Sequence, residues 1–235
     1  MNPLQQQNRL HLPHHHENLL YILALALSPI ANYMLQMLML AKYQRIVGEQ
    51  YSSLNWAINA GYILSLGITI PALLTLLFRT SIHRSADIRR LLGGFGIACS
   101  LGLLLNIIIV NLAIVDIQLK SYDLLLQAFV LYLSINLIFF FWYWYVDYPE
   151  QLRHLTDPND FPDILFPEQS GNIYTRWKPH PIDYLFLTII SSNTLGPPEG
   201  HLLLGRRTKL LQISHTITTL VVLLVLVARA INTLN

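Results

Sequence analysis

Thr194-Leu195-Gly196-Pro197-Pro198-Glu199 and, further on, Gln212, His215 and Thr219 are the residues of this sequence whose types and spacing point to chemistry. The first run joins a tight turn to a carboxylate. The carbonyls of Thr194 and Gly196 would form a short oxygen-lined site, and Glu199 repeated around a symmetric assembly would make a ring of carboxylates that favours cations. Pro197 and Pro198 fix φ near about −65° and exclude the longer carbonyl ladder that a second glycine would allow. Gln212, His215 and Thr219 are spaced 3 and 4 apart and so share one helix face. His215 is an ionisable group inside an apolar run, a functional hypothesis by default. It would either line a water path and respond to pH between about 5 and 8, or lie neutral and bonded to a neighbouring helix.

The elements that must position these residues are legible in the apolar runs. Ile182 to Leu195 is apolar but too short for a bilayer, which needs roughly 20 residues. Gly196-Pro197-Pro198-Glu199-Gly200 cannot be helix. Leu210 to Ala228 is long enough to span. A half-span, a loop and a full span make the layout of a pore module, and such a loop survives at membrane depth only where protein buries it or water lines it. Four further uncharged windows have spanning length: Leu19 to Ala41, Asn55 to Phe78, Leu91 to Ile114 and Leu124 to Val146. Pro29 and Pro71 fall inside the first two and predict local kinks. In the third, Gly94 and Ala98, Gly96 and Ser100, and Ala98 and Gly102 have the spacing that lets helix backbones approach closely. Asn32, Gln36, Asn59, Asn106, Asn111 and Asn136 are expected to hydrogen-bond between helices. Phe139 to Tyr145 is expected to form an interfacial aromatic belt, with Asp147 and Tyr148 just beyond it; it would also suit packing against a pore helix.

Composition agrees with a membrane class. The chain is 53% hydrophobic and 12% charged, against about 25% charged for an average soluble domain. No basic stripe with interleaved aromatics points to nucleic acid. Cys99, the single cysteine, lies in an apolar run and offers neither a disulfide nor a cysteine metal site. His11, His14, His15 and His16 lie in a polar segment, interrupted by Pro13, that reads as a flexible tail over 1–17 rather than a cleavable signal peptide. No nucleophile–base set, cofactor motif or metal-ligand spacing supports an enzyme or a catalytic metal. The connection from Tyr148 to Pro181 carries Pro149, Pro158, Pro162, Pro167, Pro179 and Pro181, which forbid one long helix. Its apolar residues Phe161, Ile164, Leu165, Phe166, Ile173, Tyr174 and Trp177 predict that it folds down on the membrane surface.

Several short runs carry a family resemblance. Asp183-Tyr184-Leu185-Phe186-Leu187, Arg206-Arg207-Thr208-Lys209-Leu210-Leu211, Ala228-Arg229-Ala230-Ile231-Asn232-Thr233-Leu234, Phe141-Trp142-Tyr143-Trp144 and Leu165-Phe166-Pro167-Glu168 resemble an uncharacterised family of bacterial integral-membrane proteins. The resemblance implies a bacterial inner-membrane location and brings no activity with it. The same region is also similar to the pore module of tetrameric potassium channels. Leu124 to Val146 would be the outer helix, Ile182 to Asn193 the pore helix, Thr194 to Glu199 the filter and Leu210 to Ala228 the inner helix. Gly205-Arg206 matches the glycine and basic residue that often open the inner helix. Where such channels have Thr-Val-Gly-Tyr-Gly-Asp, this chain has Thr194-Leu195-Gly196-Pro197-Pro198-Glu199, a degenerate filter.

Orientation pulls against that likeness. With five spans and a re-entrant loop, one side holds Arg9, Arg79, Arg84, Arg89, Arg90, Arg153, Arg176, Lys178, Arg206, Arg207 and Lys209, and the other Lys42, Arg45, Lys120 and Arg229. The positive-inside rule then places the N-terminus and the loop in the cytoplasm, whereas a potassium channel has its filter outside. The expectation is therefore an all-α membrane protein of about five transmembrane helices plus a re-entrant half-helix. Residues 18–122 would form a three-helix membrane region and 123–235 the pore-like region. Its partners would be the lipid bilayer, monovalent cations and further copies of itself, a tetramer if channel-like. A non-conducting membrane scaffold or partner subunit is the alternative.

Overall fold

A computed structural model of the chain describes residues 15–47, 67, 85–116, 121–157, 160–170 and 177–234. The long helices are α1 (His15–Val47), α2 (Ser85–Asp116) and α3 (Ser121–Thr156). After them come β1 (Ile164–Leu165), the single turn α4 (Pro167–Ser170), α5 (Pro181–Thr194), β2 (Leu202–Leu203) and α6 (Arg206–Leu234). Each apolar window expected from the sequence lies within one of these helices, except Asn55 to Phe78, which lies outside the described residues apart from Gly67. So does the tail up to residue 14; α1 begins at His15, inside the segment read as tail. Among the described residues one helical stretch, Leu125–Thr156, is long and apolar enough to cross a membrane, and Leu19–Met34 is a shorter apolar helix.

α3 is the axis of the bundle. Tyr21 stacks on Trp144 and Phe140, with ring centroids 4.4 and 4.7 Å apart, while Asn32 reaches Ser134. α1 therefore runs antiparallel to α3. α2 does the same, since Arg89 meets Tyr145 and Gly96 lies against Phe141. The N-termini of α1 and α2 and the C-terminus of α3 thus share one end of the bundle. Midway along, Asn32 donates to the Ser28 carbonyl and to Ser134 Oγ and accepts from Asn106 Nδ2. This buried network ties α1, α2 and α3 together, as the expected hydrogen bonding of asparagines between helices requires.

Of the small-residue pairs in α2, Gly96 and Ser100 meet α3. Gly96 is buried against Phe141 and Trp142, and Trp142 Nε1 donates to Ser100 Oγ at 2.9 Å. Gly94 and Gly102 have no neighbour within 4 Å of where a Cβ would stand. The aromatic run of α3 faces inward in large part: Phe141 and Tyr143 are fully buried and Trp144 nearly so.

α3 continues through Pro149 for ten residues beyond the window that ends at Val146. A mid-helix proline leaves the carbonyl four residues back without its N–H donor. Here that carbonyl is Tyr145's, and the Arg89 guanidinium donates to it at 2.8 Å. Residues 160–170 of the connection beyond Thr156 fold over the end of the bundle, with Ile164 and Phe166 buried, and β1 pairs antiparallel with β2 (Ile164 with Leu203, Leu165 with Leu202); Ile173 and Tyr174 lie outside the described residues.

Candidate functional site

The half-helix α5 starts at the capped end of the bundle. Pro181 stands in its first turn, where a missing N–H costs nothing, and the His180 N–H donates to the Asp183 carboxylate at 2.7 Å. α5 then descends antiparallel to α3: Tyr184 meets Asp147, Ser192 meets Asn136 at 3.0 Å and Asn193 accepts from the Tyr132 hydroxyl at 2.9 Å. It ends at Thr194, and Leu195 turns the chain with a left-handed φ of 58°. The chain then climbs back, so that Leu202 and Leu203 pair at the capped end and α6 starts there beside Asp163. α6 in turn descends along α3, with Gln212 at Tyr143 and His215 at Phe139. Thr216 Oγ1 donates to the Leu195 carbonyl. Thr216 lies ten residues into α6, so the loop dips about 15 Å below the start of that helix.

Every expected loop residue can be placed. Thr194 Oγ1 donates to the carbonyls of Ile190 (2.8 Å) and Gly196 (2.9 Å). Thr194, Leu195, Pro197 and Glu199 are exposed; Pro198 is buried and its carbonyl accepts the His201 N–H. Gly200 takes a φ of 80°, which closes the turn. The carbonyls of Leu195 and Gly196 are thus each engaged by a threonine hydroxyl of the same chain. This satisfies the end of a half-helix that has no following turn. Glu199 is exposed, four residues past the turn at Leu195.

Gln212, His215 and Thr219 are all buried, as one face, and Gln212 and His215 meet α3. The Tyr143 hydroxyl donates to Gln212 Oε1 at 2.6 Å and lies 3.4 Å from His215 Nδ1. Phe139 stacks on the imidazole at 4.2 Å. Ser191 of α5 borders the same tyrosine. Ser191 Oγ, His215 Nε2 and Thr219 Oγ1 are buried without a hydrogen-bond partner among the described residues. Within one chain the stripe joins α6 to its neighbours, while Leu210, Ile213, Ile217, Val221 and Leu224 occupy the exposed face. Beyond its first turn α6 thus buries Gln212, His215 and Thr219 and exposes mainly apolar residues, with Ser214 at the edge of that face.

A second centre was read in the sequence only as the edge of an aromatic belt. Asp147 is fully buried. Its carboxylate accepts from the Tyr184 hydroxyl (2.6 Å), Gln151 Nε2 (2.9 Å) and the Ile164 N–H (2.8 Å). Gln151 also donates to the Ile164 carbonyl and accepts from Gln169. No ion pair to Asp147 occurs among the described residues. One carboxylate therefore joins α3, the surface cap and the half-helix. The local signal was an acid abutting an uncharged run with a glutamine four residues on; its partners in α5 and β1 are too distant in sequence to be read. No group of three metal-binding side chains occurs among the described residues. Comparison of the chain with protein-family models, curated proteins and solved structures finds no match.

Proposed function

We propose that this chain is an integral membrane protein whose C-terminal half is a channel-like pore module that assembles with further copies of itself and conducts cations. The observation that carries the reading is the re-entry: α5 and α6 both start at the C-terminal end of α3 and both descend along it, joined by a loop that goes down and comes back. A soluble protein has little reason to build such a unit with the polar face of α6 inside and leucine, isoleucine and valine outside. The resemblances to bacterial integral-membrane proteins and to potassium-channel pore modules point the same way. They make the bacterial inner membrane the expected location and a tetramer the expected assembly. In such an assembly the exposed Glu199 carboxylates would form the ring that attracts cations.

A second reading, a non-conducting scaffold or partner subunit, is favoured by one specific feature. The Leu195 and Gly196 carbonyls, which a filter would turn to an ion, accept from Thr216 and Thr194. Flux into proteoliposomes of the purified protein decides between them, with several monovalent cations compared. Cation flux that falls in Glu199→Ala and in Gly196→Ala supports the pore. Absence of flux from folded, oligomeric protein, or flux indifferent to both substitutions, counts against it.

A further inference from the structure

The first turns of α6 carry positive charge that the described residues balance only at Arg207. Arg206, Arg207 and Lys209 are all exposed, and the first turn holds no acidic residue. Asp163 neighbours Arg207, but Arg206 and Lys209 form no ion pair among the described residues. Cations at the start of a helix face the positive end of its dipole, an unfavourable placement. The stability of α6 therefore does not account for them. On the same face, beginning one turn below Arg206, Leu210, Ile213, Ile217, Val221 and Leu224 are exposed. Their spacing of 3 and 4 makes a continuous apolar stripe. It runs for about 21 Å, enough to cover the roughly 15 Å hydrocarbon depth of one leaflet.

We propose that this outer face of α6 binds an anionic phospholipid, its phosphate between Arg206 and Lys209 and an acyl chain along Leu210, Ile213 and Ile217. Arg206 and Lys209 are i, i+3 neighbours, so both side chains reach one phosphate, and charge-assisted bonds to phosphate are the strong kind. The occupant follows from charge complementarity joined to apolar length. A free anion leaves the stripe uncovered, and a neutral lipid leaves the cations unpaired. The inference rests on the membrane reading above, and on this face of α6 meeting lipid and not the further copies of the pore assembly. A bare topology signal would place basic residues at this end without any headgroup preference, and that difference is measurable.

The test uses the purified full-length protein in detergent, with thermal unfolding followed as phosphatidylglycerol or phosphatidylcholine is added. The expected result is a larger rise in Tm with phosphatidylglycerol, lost in Arg206→Gln/Lys209→Gln and kept in Arg153→Gln, a cation at the same end that pairs with Glu150. Since both α6 residues are exposed and oppose the helix dipole, the double variant should melt no lower than wild type in detergent alone. Equal shifts from the two lipids, or a preference that survives the double substitution, would overturn the site. So would inorganic phosphate alone reproducing the full shift. Carbonate-resistant insertion into pure phosphatidylcholine vesicles tests the membrane reading separately, because it does not depend on headgroup charge.

Discussion

Arg89 and Tyr145 bind each other reciprocally: the guanidinium donates to the Tyr145 carbonyl at 2.8 Å, and the Tyr145 hydroxyl donates to the Arg89 carbonyl at 2.9 Å. The guanidinium carbon also lies 4.7 Å from the centre of the tyrosine ring. The carbonyl concerned is the one that Pro149 strips of its helical partner. Arg89→Leu should therefore cost about 1–3 kcal/mol, the usual penalty of an unsatisfied buried polar group. Pro149→Ala restores an N–H at the right place in α3. If this account holds, Arg89→Leu costs clearly less in the Pro149→Ala background than in wild type, as read by thermal or denaturant unfolding. Equal losses in both backgrounds would mean that Arg89 acts by other means.

Asp147 is held by three donors and, among the described residues, by no cation, so each donor matters. Tyr184→Phe keeps the ring packing against Phe166 and removes only the 2.6 Å bond. Leaving a buried polar group without one of its partners costs about 1–3 kcal/mol, and a loss in that range is expected. Because Asp147 also fixes Ile164, the surface cap should loosen as well. Limited proteolysis between 157 and 170 should be faster in Asp147→Ala than in wild type, and an unchanged cleavage rate would show that the cap is held independently.

Glycines on one helix should behave oppositely. A Cβ on Gly96 would stand 2.6 Å from Phe141 Cε1 and 3.0 Å from Trp142 Cζ2, and Phe141 is fully buried with nowhere to retreat. Overpacking costs about 1–3 kcal/mol, which outweighs the roughly 1 kcal/mol that alanine gains over glycine in a helix. Gly96→Ala should lower Tm, whereas Gly94→Ala and Gly102→Ala, with open space around them, should leave it unchanged or raise it. A neutral Gly96→Ala would mean that α2 sits farther from α3 than described.

The contrast between these glycines shows where sequence reading stops. Uncharged length marked the windows that became α1, α2, α3 and α6, and Gly196-Pro197-Pro198 marked the place where α5 had to stop, because these are local properties. Small-residue spacing flagged three pairs in α2 alike; only tertiary packing decides that Gly96 and Ser100 meet α3. The common face of Gln212, His215 and Thr219 followed from helical period, but not that it would lie on Tyr143 and Phe139. The run of α3 through Pro149 was illegible because its compensating donor, Arg89, belongs to another helix. Asp147 was passed over because its donors lie at positions 151, 164 and 184, and no pattern along the chain unites them.

Asp163 supplies a pH dependence outside the helices. Partial burial raises its carboxyl above the ordinary value, Glu150 adds to the rise, and Arg207 opposes it. The folded state therefore holds this proton more tightly than the unfolded chain. The associated stability is fully present below the unfolded value and is lost as pH rises through the folded one. Asp163→Asn, which carries no charge to desolvate, should raise Tm at neutral pH relative to wild type, and the difference should shrink as the pH is lowered through the carboxylate range. A difference that stays constant with pH would assign the effect to packing near Gly205 and not to charge.

Tyr143 and Gln212 are both buried, and one hydrogen bond of 2.6 Å joins them. Tyr143→Phe leaves the buried Gln212 carbonyl oxygen without its donor at about 1–3 kcal/mol, whereas removing both polar partners is close to neutral. Gln212→Leu alone leaves the tyrosine hydroxyl with His215 Nδ1 at 3.4 Å, a poor substitute, and should cost a similar amount. The double variant Tyr143→Phe/Gln212→Leu should then be more stable than the two single losses predict when added, with a coupling of about 0.5–3 kcal/mol. Chemical denaturation of the four proteins in one detergent measures that coupling. Additive losses would mean that the polar face of α6 is held by each residue separately, and that the register of α6 on α3 does not depend on this bond.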